Sequence, residues 1–266
     1  ICVDQDKNVF FLVDNDGKFA AFMLNEEADK LISLKSDINA LFNFPVLGYN
    51  SKDDIVYQFW ANRDSHEVYY FDPKTDYAPT TAISSISWDD PNFPNIEGFG
   101  VWAAKCNFTM GPDGKMYSRM LGGNLVRIDV ENARGENLTN GDLVGTKDGS
   151  AYGLVFDPQD ENVFYFSNND KHCIYKYDLR TKECACWAGQ EGKSGYLDGP
   201  IGQAMFNKPG QMCVDSEGNI ILTDTENHCI RKITMSTGYV STLAGKPQNS
   251  GYVNGSAEAV SYTHLR

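Results

Sequence analysis

Two histidines with matching surroundings are the first candidates for chemistry in this chain. His172 and His228 each open the pattern His-Cys-Ile-x-Lys, and the second lies 56 residues after the first. A pair of histidines could ligate a metal ion. Catalysis tends to need singular residues, however, and both histidines follow turn-forming residues, so we interpret them as turn residues of a repeat. His66 lies near the corresponding turn of another repeat and receives the same interpretation.

Three short motifs that are typical of other ligand sites fail on their context. Gly192-Lys193-Ser194 ends like a phosphate-binding loop, but Trp187 stands where that loop requires its leading glycine. Residues 98–103 fit a dinucleotide fingerprint but follow a proline-rich loop instead of a strand. Asp14-Asn15-Asp16-Gly17 resembles part of a calcium loop without its closing glutamate, and we interpret it as a hairpin turn. The sequence therefore predicts no cofactor and gives no support for calcium.

The cysteines do not form a convincing disulfide framework. There are seven, and an odd number leaves one unpaired. Most lie in apolar, strand-like runs such as the one around Cys213, where a cysteine is expected to act as a small buried hydrophobic residue. Cys184 and Cys186 lie on one face of a predicted strand but lack the second pair of ligands that a zinc site needs. The redox state of the cysteines is left open.

Composition excludes some classes of protein. The net charge is −13, from 36 acidic and 23 basic residues, and no basic stripe is present, which argues against nucleic acid as a partner. No apolar run is long enough to span a membrane. The chain begins at Ile1 without a charged and then apolar leader, so we expect any secretion signal to be removed or to lie upstream.

The repeat that contains the histidines is rich in strands. Between residues 210 and 245 we predict four short strands joined by tight turns. They are Gln211–Val214, Ile220–Thr223, Cys229–Thr234 and Tyr239–Leu243. In the first turn Gly218 supplies the left-handed position. Four such strands, repeated every 40 to 60 residues, are typical of a β-propeller blade.

The first strand and its turn can be followed through the whole chain. The markers of this strand end stand at positions 4, 50, 111, 157 and 215. They predict five blades of four antiparallel strands that start near residues 1, 46, 106, 152 and 210. Leu31 to Leu41 is interpreted as a short helical or irregular segment. The pattern Phe-Asn-x-Pro-x-Gly of residues 206–210 does not recur after Ala259, so we assign residues 1–259 to the propeller and residues 260–266 to a tail outside it.

Residues 206–233 resemble an NHL repeat, from Phe206-Asn-Lys-Pro-Gly through Asp-Ser-Glu-Gly-Asn to His228-Cys-Ile-Arg-Lys-Ile233. The resemblance is strong over 206–245, good over 150–205 and weak over 1–149. It implies an all-β, six-bladed propeller, of which this chain would hold about five blades and lack the C-terminal one. It further implies a likeness to Bacteroidetes envelope proteins, with an extracytoplasmic location and an IPT/TIG domain upstream of Ile1.

The candidate site residues lie on non-repeated loops and turns. The connector 79–104 is long and aromatic, and loops of this length are usually functional. Connectors and second-to-third strand turns of a propeller meet on one face, so we predict a ligand site there. The predicted site consists of Trp88, Phe93, Trp102, Tyr152, Arg63, Asp64, Arg119, Asn169, Asp170 and Asp224. Flat aromatic rings beside Asp, Asn and Arg suit a sugar. The alternative, in which the aromatic rings fill gaps between blades, stays open and is favoured for Trp102.

These features favour a non-catalytic binding propeller of the cell envelope, with a glycan or a protein as its ligand. Two alternatives stay open. Related propellers are lyases or calcium-dependent lactonases, and an enzyme of that kind would place a singular cluster of His or carboxylate side chains at the central channel. A protein-interaction scaffold would instead expose an apolar patch.

Overall fold

The computed structural model describes most of the chain as strands and tight turns. The described residues are 2–15, 18–39, 46–61, 66–83, 87–88, 108–119, 125–139, 153–251, 253–257, 260 and 262. They fall into two compact units, residues 1–138 and 139–266. Across these described ranges, no helix has both the length and the apolar character needed to cross a membrane.

The first unit contains three antiparallel sheets, which we call blades 1, 2 and 3. Blade 1 consists of β1 (Cys2–Val3), β2 (Val9–Asn15), β3 (Lys18–Leu24) and β4 (Leu31–Asn39), in that order. Blade 2 consists of β5 (Val46–Asn50), β6 (Ile55–Ala61), β7 (His66–Phe71) and β8 (Pro79–Ile83), in that order. Blade 3 is joined by β9 (Ser87–Trp88) and consists of β10 (Thr109–Met110), β11 (Met116–Arg119), β12 (Leu125–Asp129) and β13 (Arg134–Asn137). Strand β9 lies parallel to β13, outside the four antiparallel strands.

The second unit contains blades 4 and 5. Blade 4 consists of β14 (Leu154–Phe156), β15 (Val163–Asn168), β16 (Cys173–Asp178) and β17 (Cys184–Gly189), in that order. Blade 5 adds β18 (Gly199–Pro200), from the connector between the blades, to β19 (Pro209–Val214), β20 (Ile220–Asp224), β21 (Cys229–Thr234) and β22 (Tyr239–Ala244). Strand β18 pairs antiparallel with β22, at the outer edge of blade 5.

Each unit has its own apolar core. In the first unit, Phe10 and Phe71 are fully buried in a cluster formed by strands of blades 1 and 2. In the second unit, Ile174, Phe206 and Ile233 are fully buried in a cluster shared by blades 4 and 5. Because side chains alternate between the faces of a strand, one face of each sheet supplies these apolar residues.

Aspartate–tyrosine hydrogen bonds hold the first turn of three blades to the following strand. Tyr117 donates its hydroxyl hydrogen to Asp113 at 2.9 Å, and Tyr165 donates to Asp157 at 2.7 Å. In blade 2, Tyr57 donates to Asp53 at 2.9 Å. The aspartates that mark the first turns in the sequence therefore act as acceptors that fix the geometry of the turn.

Most strand predictions are confirmed, including the count of about five blades. The four strands predicted for blade 5 are observed as β19 to β22, and Gly218 has a φ of 79°, in the left-handed region. The hairpin predicted at residues 14–17 is confirmed by the pairing of Asn15 with Lys18.

Two expectations are wrong. Leu31–Asn39 is not helical or irregular but is strand β4, because its Leu, Ile and Ser residues complete the sheet by pairing with β3. Cys213 is exposed rather than buried, because the alternation of β19 turns its side chain away from the core.

Candidate functional site

One end of the second unit brings together two turns and a connector. Residues 168–172 join β15 to β16, residues 224–228 join β20 to β21, and residues 190–208 connect blade 4 to blade 5. The Gly192 amide donates a hydrogen bond to the Lys171 carbonyl at 2.8 Å, which holds the first turn against the connector. We call these three segments the turn–connector face.

His172 ends the first turn and ties it to the start of blade 5. Its φ is 56°, in the left-handed region, and its Nδ1 accepts a hydrogen bond from the Lys208 backbone N–H at 3.1 Å. Partial burial, helped by the positive charge of Lys208, lowers the pKa of the imidazole from its ordinary value of 6.5. The ring is therefore neutral at pH 7, and Nδ1 can act as an acceptor. His228 also has a φ of 56° and ends the second turn, so both histidines are turn residues, as predicted.

Arg231 is a buried cation that organises the connector. Its side chain is fully buried, and Nη1 donates to Asp224 at 2.7 Å while Nη2 donates to Asp198 at 2.6 Å. The same guanidinium donates to the carbonyls of Leu197 and Met205 at 3.0 and 3.2 Å. A buried charge is tolerated when it is paired and hydrogen-bonded. Arg231 therefore fixes both the backbone and the Asp198 side chain of the connector.

Asp224 belongs to the same buried network. Its Oδ2 accepts hydrogen bonds from Arg231 and from the Asn227 side chain, and its Oδ1 accepts one from the Asn207 backbone N–H at 2.7 Å. Burial raises the pKa of the Asp224 carboxyl, while these three donors oppose the shift. Asp224 was predicted as a ligand contact; the structure places it behind the face, where it holds turn and connector together.

Asn169 and Asp170 lie at the surface of the turn–connector face. Asn169 is half-buried and Asp170 is exposed. Across the Gly192–Lys171 hydrogen bond, the connector presents the exposed side chains of Glu191 and Lys193. Polar groups of both charges therefore reach solvent from a backbone that is fixed by hydrogen bonds.

The other predicted site residues lie apart from this group or outside the described residues. Arg119 is buried in β11 of the first unit, with 3% of its surface exposed. The backbone of Trp88 lies in β9, opposite Gly135 of β13. Five residues lie outside the described residues: Arg63, Asp64, Phe93, Trp102 and Tyr152. The structure therefore brings together Asn169, Asp170 and Asp224, and the rest of the site stays a prediction.

Sequence reasoning missed Arg231 and Asp198, although one indication of Arg231 was present. Cys229, Arg231 and Ile233 alternate along β21 and are all buried. An arginine at an inward position of an otherwise apolar strand requires a carboxylate partner. Asp224 could have been proposed as that partner from its position in the preceding turn.

A second concavity lies on blade 3. It has a volume of about 270 Å³ and is lined by Lys115, Arg127, Asp129, Arg134, Gly135 and Glu136. Lys115 forms a salt bridge with Asp129 at 3.1 Å, and Arg127 pairs with Glu136. These lining charges are paired with one another, so the groove is a charged surface feature with much of its polarity already used. In the part of the chain that the structure describes, no group of three or more His, Cys, Asp and Glu side chains is placed to hold a metal ion.

Comparison with known proteins identifies the repeat. Residues 206–233, which run from the end of the connector through most of β21, match the family described as NHL repeat. A curated relative, NHL repeat-containing protein 2 from Bos taurus, is 29% identical over 104 residues, which are 39% of this chain and 14% of that protein. The match thus spans a small part of the relative's length.

Solved structures share the fold over nearly the whole chain. An auxiliary nutrient binding protein from Bacteroides ovatus has a TM-score of 0.69 at 17% identity and covers 98% of this chain and 61% of its own. Virginiamycin B lyase from Staphylococcus aureus has a TM-score of 0.57 at 12% identity and covers 93% of this chain and 70% of its own. At such identities the likeness shows the fold alone. The chain therefore has a β-propeller fold, and residues 206–233 form an NHL repeat within it.

Proposed function

We propose that this chain is a non-catalytic propeller of the bacterial cell envelope that binds a glycan at the turn–connector face. The observation that carries the proposal is the arrangement of Asn169, Asp170, Glu191 and Lys193, which present solvent-facing polar groups on hydrogen-bonded backbone. Sugar hydroxyls both donate and accept hydrogen bonds, so a mixed set of amide, carboxylate and ammonium groups suits them.

The rigidity of this backbone favours binding. His172 and Arg231 hold the turns and the connector from behind, so the ligand does not have to order them. Ordering loops and side chains costs free energy on binding, and a preorganised surface avoids much of that cost. The inward residues thus fix the surface, and the outward residues are left for the ligand.

The aromatic part of the proposed site is carried by the connector 79–104. Trp88 has a defined backbone position, because β9 is paired with β13 at Gly135. An exposed ring at such a position would stack on the C–H face of a sugar. Phe93, Trp102 and Tyr152 stay candidates for the same role, with Arg63, Asp64 and Arg119 as polar candidates.

The fold likeness to an auxiliary nutrient binding protein of Bacteroides supports a binding role and an extracytoplasmic location. An upstream IPT/TIG domain remains part of the proposal. The fold of a lyase is also similar, and the fold alone does not choose between binding and catalysis. The difference must be measured on the ligand, which a binding module leaves intact and a lyase cleaves.

The test is retention of the protein by soluble polysaccharides in native gels, followed by calorimetry with any glycan that retains it. Asp170→Ala is expected to weaken binding about tenfold, since a hydrogen bond to a charged group contributes about 1.5 kcal/mol or more. Trp88→Ala is expected to weaken it by a similar factor. Glu161→Ala is the matched control, because Glu161 is exposed in the turn between β14 and β15, at the opposite end of blade 4.

Three outcomes would contradict the proposal. Equal affinity of all variants would place the glycan elsewhere. A folded protein that no glycan retains would favour a protein ligand. New chain ends or an unsaturated product in the recovered glycan would show an enzyme.

A further inference from the structure

Cys173 and Cys186 lie side by side on neighbouring strands of blade 4. β16 and β17 pair antiparallel, with Cys173 opposite Gly189 and Tyr175 opposite Cys186, and a bulge shifts the register between these pairs. Cys173 and Tyr175 are two residues apart and share one face of the sheet, as does Cys186 opposite Tyr175. The two thiols are in hydrogen-bond contact, and both cysteines are free.

This thiol pair is a departure from the repeat. At the equivalent positions, 56 residues later, blade 5 has Cys229 and Thr242. Cys229 is fully buried like Cys173, so the repeat uses a small buried residue at the first position. At the second position blade 5 has a hydroxyl, which contacts Asp198 at 3.2 Å. Cys186 is therefore singular, and the fold does not explain a thiol there.

The surroundings make the two thiols chemically different. The hydrogen bond from the Cys173 thiol lowers the pKa of Cys186, while the same hydrogen bond and burial raise the pKa of Cys173. Cys173 is fully buried and Cys186 is partly exposed. Because the thiolate is the nucleophile in thiol–disulfide exchange, Cys186 is suited to meet an external oxidant and Cys173 to react second.

We propose that Cys173 and Cys186 form a reversible disulfide that links β16 to β17 beside the turn–connector face. Cys173 directly follows His172, and Gly189 at the end of β17 opens the connector. Closing the bond requires the sulfur atoms to move from hydrogen-bond contact to about 2.05 Å, which rotation about the two Cα–Cβ bonds can supply.

The oxidant is a low-molecular-weight disulfide, such as oxidised glutathione. The Cys186 thiolate attacks one glutathione sulfur, which forms a mixed disulfide and releases one glutathione thiolate. The Cys173 thiol gives its proton to water or to that thiolate and attacks the Cys186 sulfur, which releases the second glutathione. Two protein thiols are oxidised, and one external disulfide is reduced to two thiols.

The test treats the full chain with oxidised glutathione, blocks remaining thiols with iodoacetamide and maps the tryptic peptides. Trypsin cuts after Lys176, Arg180 and Lys182, so the two cysteines fall in the separate peptides 172–176 and 183–193. The expected result is a loss of two hydrogen atoms per chain and a linked pair of these peptides that separates on reduction. The midpoint of thermal unfolding is expected to rise on oxidation.

Two variants identify the sulfur atoms. Cys186→Thr introduces the residue that blade 5 carries at this position and is expected to abolish the linked pair. Cys184→Ser, on the same strand and in the same peptide, is expected to retain it. The proposal would be overturned if the linkage required Cys184, if glutathione remained on Cys186 without linkage, or if the folded protein stayed fully reduced.

Discussion

The connectors that follow blades 4 and 5 take the same backbone course but differ in what their side chains contact. Three backbone hydrogen bonds recur 56 residues apart, with lengths between 2.8 and 3.2 Å: Gly189 to Ile201 and Gly245 to Ala257, Gly192 to Lys171 and Gln248 to Asn227, and Gly195 to Phe206 and Gly251 to Tyr262. Glycines at the start of each connector make this course possible, since Gly189 and Gly245 have φ values of 95° and 98°.

The side chains tell the two connectors apart. Asp198 of the first accepts hydrogen bonds from Arg231 and Thr242 of blade 5, whereas its counterpart Asn254 is exposed and has no hydrogen-bond partner among the described residues. His172 accepts from the start of blade 5, whereas Nδ1 of His228 is buried without a partner in that same part of the chain. The backbone of a connector is therefore set largely by the blade that it leaves, and its side chains are satisfied by the blade that it meets.

The strongest test of this contrast removes the cation that the first connector meets. Arg231→Met is expected to lower the free energy of unfolding by about 3–5 kcal/mol, because it leaves the buried carboxylate of Asp224 without its charge partner. Lys232→Met is the control on the next residue, where a partly exposed ammonium pairs with Asp215 at 3.0 Å, and a loss below about 1 kcal/mol is expected. Urea unfolding measures both. Equal losses would show that Arg231 does not organise the connector.

A reciprocal exchange tests the acceptor itself. Asp198→Asn replaces one carboxylate oxygen with an amide that cannot accept from both Arg231 and Thr242, so a loss of about 1–2 kcal/mol is expected. Asn254→Asp is expected to change stability by less than about 0.5 kcal/mol, because Asn254 is exposed. The contrast between the connectors fails if the two exchanges have effects of similar size.

The histidines provide a smaller but closely matched comparison. His172→Ala removes the acceptor of the Lys208 N–H and is expected to cost about 1 kcal/mol. His228→Ala removes a nitrogen without a partner and is expected to be nearly neutral. Both residues have a φ of 56°, so the backbone strain of alanine cancels in the comparison. Chemical denaturation of the two variants gives the difference, and a larger loss for His228→Ala would contradict the contrast.

Much of the fold follows from local sequence. Turn residues such as Asp215 and Gly218 punctuate runs of alternating apolar residues, and tight turns leave few ways to pair consecutive strands. The two-residue strands β9 and β18 could not be predicted, because they are too short for any periodicity. They form only because the outer strands β13 and β22 offer an unpaired edge. β4 was missed because an edge strand with Ser and Lys among its apolar residues carries a weak pattern.

The site was harder to predict than the fold. Asp224 was correctly placed in a turn beside the connector, but its burial depends on Arg231, which lies in the next strand, and on Asn207. The assignment of residues 260–266 to a tail rested on missing side chains, whereas the backbone of Tyr262 makes the hydrogen bond that Phe206 makes one repeat earlier. Sequence pattern records which side chains a repeat uses, but the backbone hydrogen bonds between segments appear only in the structure.

The smallest effect is a pH dependence that is specific to the first connector. Because the pKa of His172 is lowered from 6.5 by burial and by Lys208, the unfolded chain binds a proton more readily than the folded chain does. The stability contributed by neutral His172 is therefore full above pH 6.5 and declines as the pH falls from 6.5 towards the folded pKa. Protonation also places a hydrogen on Nδ1, which can then no longer accept from Lys208.

This effect appears as a difference between two proteins. The stability advantage of the parent chain over His172→Ala, measured by urea unfolding at pH 7.5 and again at pH 5.5, is expected to shrink by up to about 1 kcal/mol. Carboxylates and the other histidines titrate in both proteins and cancel. An advantage that stayed constant or grew on acidification would show that the imidazole is not held neutral against Lys208, and that the first connector is fixed by Arg231 and Asp198 without help from His172.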